Sequence, residues 1–170
     1  MRNRILAFIG LALITAGFFG CGKKKVEVKK EGTQTAVVSF IMGEVQTDPG
    51  NGSWGNAGIG QVLAQMGRVK TGAKSVCDLQ IGGSSLLRIK ENSEIDLKSM
   101  ALDREAGTEN TTIKLMLGKV LTKVEKLQKD SSYLVETPTS VAGVRGTEFM
   151  VEVSEQKDTK VVVKSGEVRV

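Results

Sequence analysis

The chain has 170 residues, a formal charge of +5 at pH 7 and no histidine, which is length enough for one domain whose apolar core needs no metal or disulfide. The missing imidazole excludes His-dependent nucleophile triads, His metal ligands and His-based pH switches. Its charge is dispersed, and Trp54, Tyr133, Phe40 and Phe149 are the only aromatics beyond position 20, so no nucleic-acid partner is expected.

Arg2 and Arg4 precede an apolar run from Ile5 to Gly20 that ends at Cys21. The run is shorter than the roughly 20 apolar residues of a spanning helix, which predicts an export signal over residues 1–20. A small residue directly before cysteine resembles a bacterial lipobox, although Phe18 and Phe19 stand where an aliphatic and a small residue are usual. The resemblance implies diacylglycerol on Cys21 and an acylated amine after cleavage. At about 0.8 kcal/mol for each buried methylene, several such chains hold a protein firmly to a membrane. Gly22 is not acidic, which by analogy with sorting signals directs the anchor to the outer membrane. Lys23, Lys24, Lys25, Lys29 and Lys30, mixed with Glu27 and Glu31, read as a solvated tether. Residues 21–35 are thus expected to be linker, with a reach of about 40 Å, and residues 36–170 to be the folded domain.

From Ala36 onward the apolar residues alternate with polar ones between Gly, Asn and Ser punctuation. This predicts an all-β, antiparallel sheet with one wet and one dry face. The clearest strands are Val37 to Ile41, Cys77 to Ile81, Leu87 to Lys90, Ile95 to Lys98, Phe149 to Val153 and Lys160 to Val163. Cys77 alternates with Leu79 and Ile81, so it is expected to be a buried small hydrophobe rather than a reactive thiol. Gly43-Glu44-Val45, Gly118-Lys119-Val120 and Gly166-Glu167-Val168 repeat one pattern at unequal spacing, which reads as three corners of a sandwich where glycine turns the chain. Residues 113–129 fit a helix through Ile113, Leu117, Val120, Val124 and Leu127, and fit strands turning at Gly118 equally well.

Gly50-Asn51-Gly52-Ser53-Trp54-Gly55 matches a dinucleotide-binding spacing, but the flanking glycines leave no helix to hold a pyrophosphate. It reads instead as a flexible loop, with Trp54 either folded over the end of the sheet or presented as a stacking platform for a ligand such as a sugar. Glu91, Glu94 and Asp96 are the one carboxylate group suited to a hydrolase, and they read better as the wet edge of a strand and turn. No catalytic residue, metal ligand or cofactor is expected.

The segment Thr137-Pro138, a small-residue stretch, and then Val144-Arg145-Gly146-Thr147-Glu148-Phe149-Met150-Val151 resembles the signature of the FecR domain. Gly67 to Ser75, Leu79 to Ile81, Ser85 to Ile89, Asn92 to Ile95 and Leu117 to Val120 resemble earlier parts of the same family, from about Val37 to Val170. The resemblance implies a jelly-roll type β-sandwich and resolves residues 113–129 toward strands. It also implies that Thr137, Pro138, Val144, Arg145, Gly146, Thr147 and Phe149 are structural, with Arg145 held by Glu136, Glu148 or a backbone carbonyl. The family's regulators carry a cytoplasmic segment and a spanning helix before this domain, neither of which is expected here. The resulting expectation is a non-enzymatic, lipid-anchored envelope module on the periplasmic face that binds another envelope protein. An open C-terminal edge strand is expected to permit pairing with a second copy. The alternative is a surface adhesin or carbohydrate binder that uses Trp54.

Overall fold

The computed structural model describes residues 31–170; the leader and Cys21 lie outside them. These residues form β1 (Glu31–Thr33), β2 (Ala36–Met42), β3 (Val45–Asp48), β4 (Gly55–Asn56) and β5 (Val62–Leu63). They continue with β6 (Arg68–Thr71), β7 (Val76–Ile81), β8 (Ser85–Ile89), β9 (Glu94–Asp103) and β10 (Thr108–Val124). The last five are β11 (Ser132–Glu136), β12 (Val141–Val144), β13 (Glu148–Val153), β14 (Thr159–Ser165) and β15 (Val168–Arg169). Among the described residues there is no helix.

All pairings are antiparallel except that of β10 with β11. The strands make one curled sheet in two halves, hinged on β10. Half A runs β4-β3-β6-β9-β10-β11-β12-β15, with β1 also on β9; half B runs β5-β2-β7-β8-β10-β13-β14. The dry faces of both halves share one apolar cluster, with Ile95, Leu97, Ile113 and Val135 from half A and Cys77, Leu79, Ile89, Val120 and Val151 from half B. The six strands expected from alternation all form.

Residues 113–129 are strand as far as Val124. Both periods fit because the 17-residue β10 changes partners midway, from β9 and β11 to β8 and β13. Gly118, at φ +90°, sits at that change. The expected strand break there does not occur; the strand bends and continues. Within the expected tether, 21–35, the described part is not free chain: Glu31–Thr33 pairs with β9 and the Gln34 backbone N–H donates to the Met100 carbonyl at 2.9 Å. Backbone pairing captures these residues despite their polar composition.

Each of the three Gly-charge-Val motifs marks a passage between halves. Gly43 lies between β2 and β3, Gly118 within β10, and Gly166 between β14 and β15, at φ +77°, +90° and +89°. Each passage abuts a second one that carries a buried hydroxyl: Ser75 between β6 and β7, Ser93 between β8 and β9, Thr147 between β12 and β13. Ser75 Oγ accepts from the Glu44 N–H at 2.8 Å and Ser93 Oγ from the Lys119 N–H at 2.9 Å, while Thr147 Oγ1 donates to the Glu167 carbonyl at 2.9 Å. A Cβ on Gly118 would overlap Ser93 Oγ and come within 2.6 Å of the Asn92 carbonyl oxygen.

Gly118→Ala is therefore expected to cost about 3 kcal/mol or more, combining a left-handed penalty with overlap. Gly52→Ala also has positive φ but nothing within 4 Å of its Cβ, and is expected to cost about 1 kcal/mol. Chemical denaturation of the two variants checks the difference.

Candidate functional site

Two regions carry the residues singled out from the sequence, one on half A and one crossing from half A to half B. The first is the loop after β3. Asp48, buried at the end of that strand, accepts hydrogen bonds from the Gly50, Asn51 and Gly52 N–H groups through Oδ1 at 2.9, 3.0 and 3.0 Å. Its Oδ2 accepts from Arg68 Nε at 3.0 Å and from a second guanidinium nitrogen. The Arg68 guanidinium holds the Asp48 carboxyl below its ordinary range; burial opposes this and the loop N–H groups reinforce it. Gln61 closes the far end, its Oε1 accepting from Thr47 Oγ1 at 3.2 Å and the Gly58 N–H at 3.1 Å. The loop expected to be flexible is thus tied at both ends. Asp48 was missed, although an aspartate directly before Pro49-Gly50-Asn51-Gly52 is a signal for such a turn.

Trp54 is half-buried in this loop, with Arg68 Cζ 4.8 Å and Lys70 Nζ 4.3 Å from its ring centroid. Both cations stand on β6, on the outer face. The indole is folded against the sheet and its π surface is engaged by cations.

The second region runs from Thr137 to Phe149. Thr137 Oγ1 donates to the Ser140 carbonyl and accepts from its N–H, at 3.0 and 2.9 Å, and the Thr137 N–H bonds the same carbonyl at 2.8 Å. Pro138 and Thr139 therefore form the tip of a tight turn joining β11 to β12. After the turn, Val144 points into the core, Arg145 outward, Gly146 takes φ +70°, Thr147 docks on Gly166, and Phe149 is buried in β13. The motif is one passage from half A to half B, built residue by residue. A family model described as FecR protein matches residues 67–169.

The chain belongs to the FecR family. Proteins of this family are associated with the bacterial envelope. The FecR match takes in β6 to β15 and leaves β1 to β5 outside it, a shorter span than the resemblance from Val37 suggests. No curated protein and no solved structure matches the chain.

Within the FecR motif, Arg145 does not take the expected anchor. Glu136 is held by Lys98 at 2.7 Å and Glu148 by Lys164 at 2.7 Å. Arg145 is exposed and, among the described residues, makes no hydrogen bond or ion pair. The reason is register: Glu136 stands opposite Val141, four residues before Arg145, and Arg145 itself follows the end of β12. It lines a shallow cleft of about 420 Å³ together with Leu134, Gly143, Glu167 and Arg169.

The three carboxylates considered for catalysis are spread along one turn and strand. Glu91 Oε2 accepts from the Lys74 N–H at 2.7 Å and Glu94 faces Lys70 Nζ at 3.4 Å. Burial pushes Asp96 up, with Arg68 opposing. Asp96 belongs to a row of directly opposed residues on the outer face of half A, Asp48, Arg68, Asp96, Lys114 and Glu136, in which charge alternates from strand to strand. Each opposed pair on such a surface contributes about 0.2–1 kcal/mol.

Two outcomes follow from these contacts. Arg145→Ala is expected to change stability by less than about 0.5 kcal/mol in thermal unfolding. For Asp48 the folded carboxyl lies below its ordinary 3.8, so its contribution is fully present above that value and is lost as pH falls through the folded one. Trp54 is the only tryptophan, and its emission is expected to change on acidification below about pH 4. In Asp48→Asn the change is expected to be present already at neutral pH.

Proposed function

We propose that this FecR-family chain is a lipid-anchored, non-enzymatic envelope module that senses a signal by binding another envelope protein. The observation carrying this reading is the difference between the two outer faces. Half A carries a row of alternating charge over five strands that ends beside Val141 of β12, whereas half B presents the directly opposed row Phe40, Asp78, Arg88, Leu121, Met150 and Val162. Phe40, Leu121 and Val162 are 44, 37 and 41% exposed, and the Asp78–Arg88 ion pair at 2.7 Å neutralises the charge between them. An apolar row running across the strands of half B, with its polar members already paired and the charged row Lys119, Glu152 and Lys160 beside it, suits a protein partner.

Cys21 is the proposed lipid attachment point, after cleavage of residues 1–20, and the outer membrane with the domain on its periplasmic face is the proposed location. A jelly-roll type sandwich is the proposed finer description of the curled sheet, supported by the single apolar cluster between its halves. The carbohydrate-binding alternative is weaker, because Arg68 and Lys70 already engage Trp54.

The test is site-specific photocrosslinking from Phe40, Leu121 and Val162 in intact envelopes, with Lys114 on the opposite face as control. The expected result is one envelope protein captured from the first three positions and not from the control. Equal capture from both faces overturns the partner-binding reading. Mass spectrometry of residue 21 is expected to give a cysteine carrying acyl chains; an unmodified thiol in a detergent-free fraction removes the anchor.

A further inference from the structure

Five of the described strands have a single partner: β1, β4, β5, β14 and β15. Four are two or three residues long, and β14 has seven. One side of β14 pairs with β13; its other edge is unpaired among the described residues, which leaves a row of backbone donors and acceptors open. Its sequence is Thr159-Lys160-Val161-Val162-Val163-Lys164-Ser165. Val161 packs against the core cluster, while Val162 on the outer face and Val163 on the inner side are 41 and 44% exposed. A run of valines on a long open edge is a template for strand addition.

The lysines at either end decide what it accepts. Lys160, opposite Glu152, shares the face of Val162 by alternation, and Lys164, the extra residue of a bulge in β14, turns to the Glu148 carboxylate on that side. If a second copy paired along the whole of β14 in antiparallel register, Lys160 of each chain would stand directly opposite Lys164 of the other, and like charges there destabilise. Among the described residues Lys160 makes no ion pair, and Lys164 reaches only Glu148 at 2.7 Å in an exposed pair that is weak and exchangeable. The edge repels itself and favours carboxylates at both ends.

We propose that the free edge of β14 takes up an extended segment of a partner protein, a short apolar run flanked on both sides by acidic residues, as the next strand of half B. The main chain supplies affinity by continuing the ladder. An apolar side chain beside Val162 prolongs the row from Phe40 through Leu121 and Met150, and the acidic flanks meet Lys160 and Lys164. This rests on the partner-binding reading above and assigns it a strand, a register and a chemistry.

The test uses the full chain, isotope-labelled in detergent micelles. The probe is a synthetic heptapeptide with valine at its third to fifth positions, glutamate at its second and sixth, and threonine at its ends. Amide shifts are expected at residues 159–165 and at Met150, weakening as salt is raised. The double variant Lys160→Glu with Lys164→Glu is expected to bind the peptide at least ten-fold more weakly and to accept its lysine-flanked counterpart; Val162→Lys is expected to lose both. Shifts confined to other strands, equal affinity after charge reversal, or pairing of the wild-type chain with itself through β14 overturns the proposal. If the peptide fails while crosslinking from Phe40 or Leu121 still captures one partner, strand addition falls and the partner-binding reading stands.

Discussion

A chain that alternates between two halves of a curled sheet must turn sharply wherever it crosses, and here three crossings are secured by the same contact. A glycine with positive φ lies flat against a second crossing, and a buried Ser or Thr hydroxyl bridges to the backbone of the residue after the glycine. Only hydrogen fits at the glycine, because an added Cβ would meet the hydroxyl and the main chain of the second crossing. These contacts close the crossings around one core, in which Val120 and Val151 of one half join Ile95 and Ile113 of the other. The family motif around Gly146 and Thr147 is the third of these crossings.

With both dry faces committed to one core, what distinguishes the halves is what they show to solvent. Half A opposes unlike charges over five strands, from Asp48 through Arg68, Asp96 and Lys114 to Glu136, a row whose members satisfy one another and leave a partner little to gain there. Half B opposes Phe40, Leu121, Met150 and Val162 with one neutralised ion pair among them. Hydration favours leaving the first face in water and covering the second. The tied loop bearing Trp54 belongs to the self-satisfied side, which makes it a brace for β3 and β6.

Much of this was legible in the sequence, and for local reasons. Alternation revealed the six main strands, because one face of each is dry. The Gly-charge-Val repeats revealed the corners, because few contexts other than a turn recur with glycine first and valine last. The hydroxyl partners were not legible: Ser75, Ser93 and Thr147 come from other crossings, and nothing near them in sequence marks them. Residues 113–129 satisfied two periods because β10 is one strand serving two halves, so its apolar positions change side at Gly118. The sequence offers Arg145 the nearby Glu136 and Glu148 as anchors, yet Lys98 and Lys164, brought in by the sheet, hold both. Strands of two or three residues, β1, β4 and β5 among them, are too short for an alternation to be read, even where one side chain, Leu63 of β5, enters the core.

Cys77 closes the account of the core. It is fully buried between Val76 and Asp78, and burial pushes its thiol up to about 12, with the Asp78 charge adding to the effect. At neutral pH almost none of it is the thiolate that exchanges with disulfides. Among the described residues Cys77 is the one cysteine, so their fold rests on no disulfide, and burial shields that thiol from exchange.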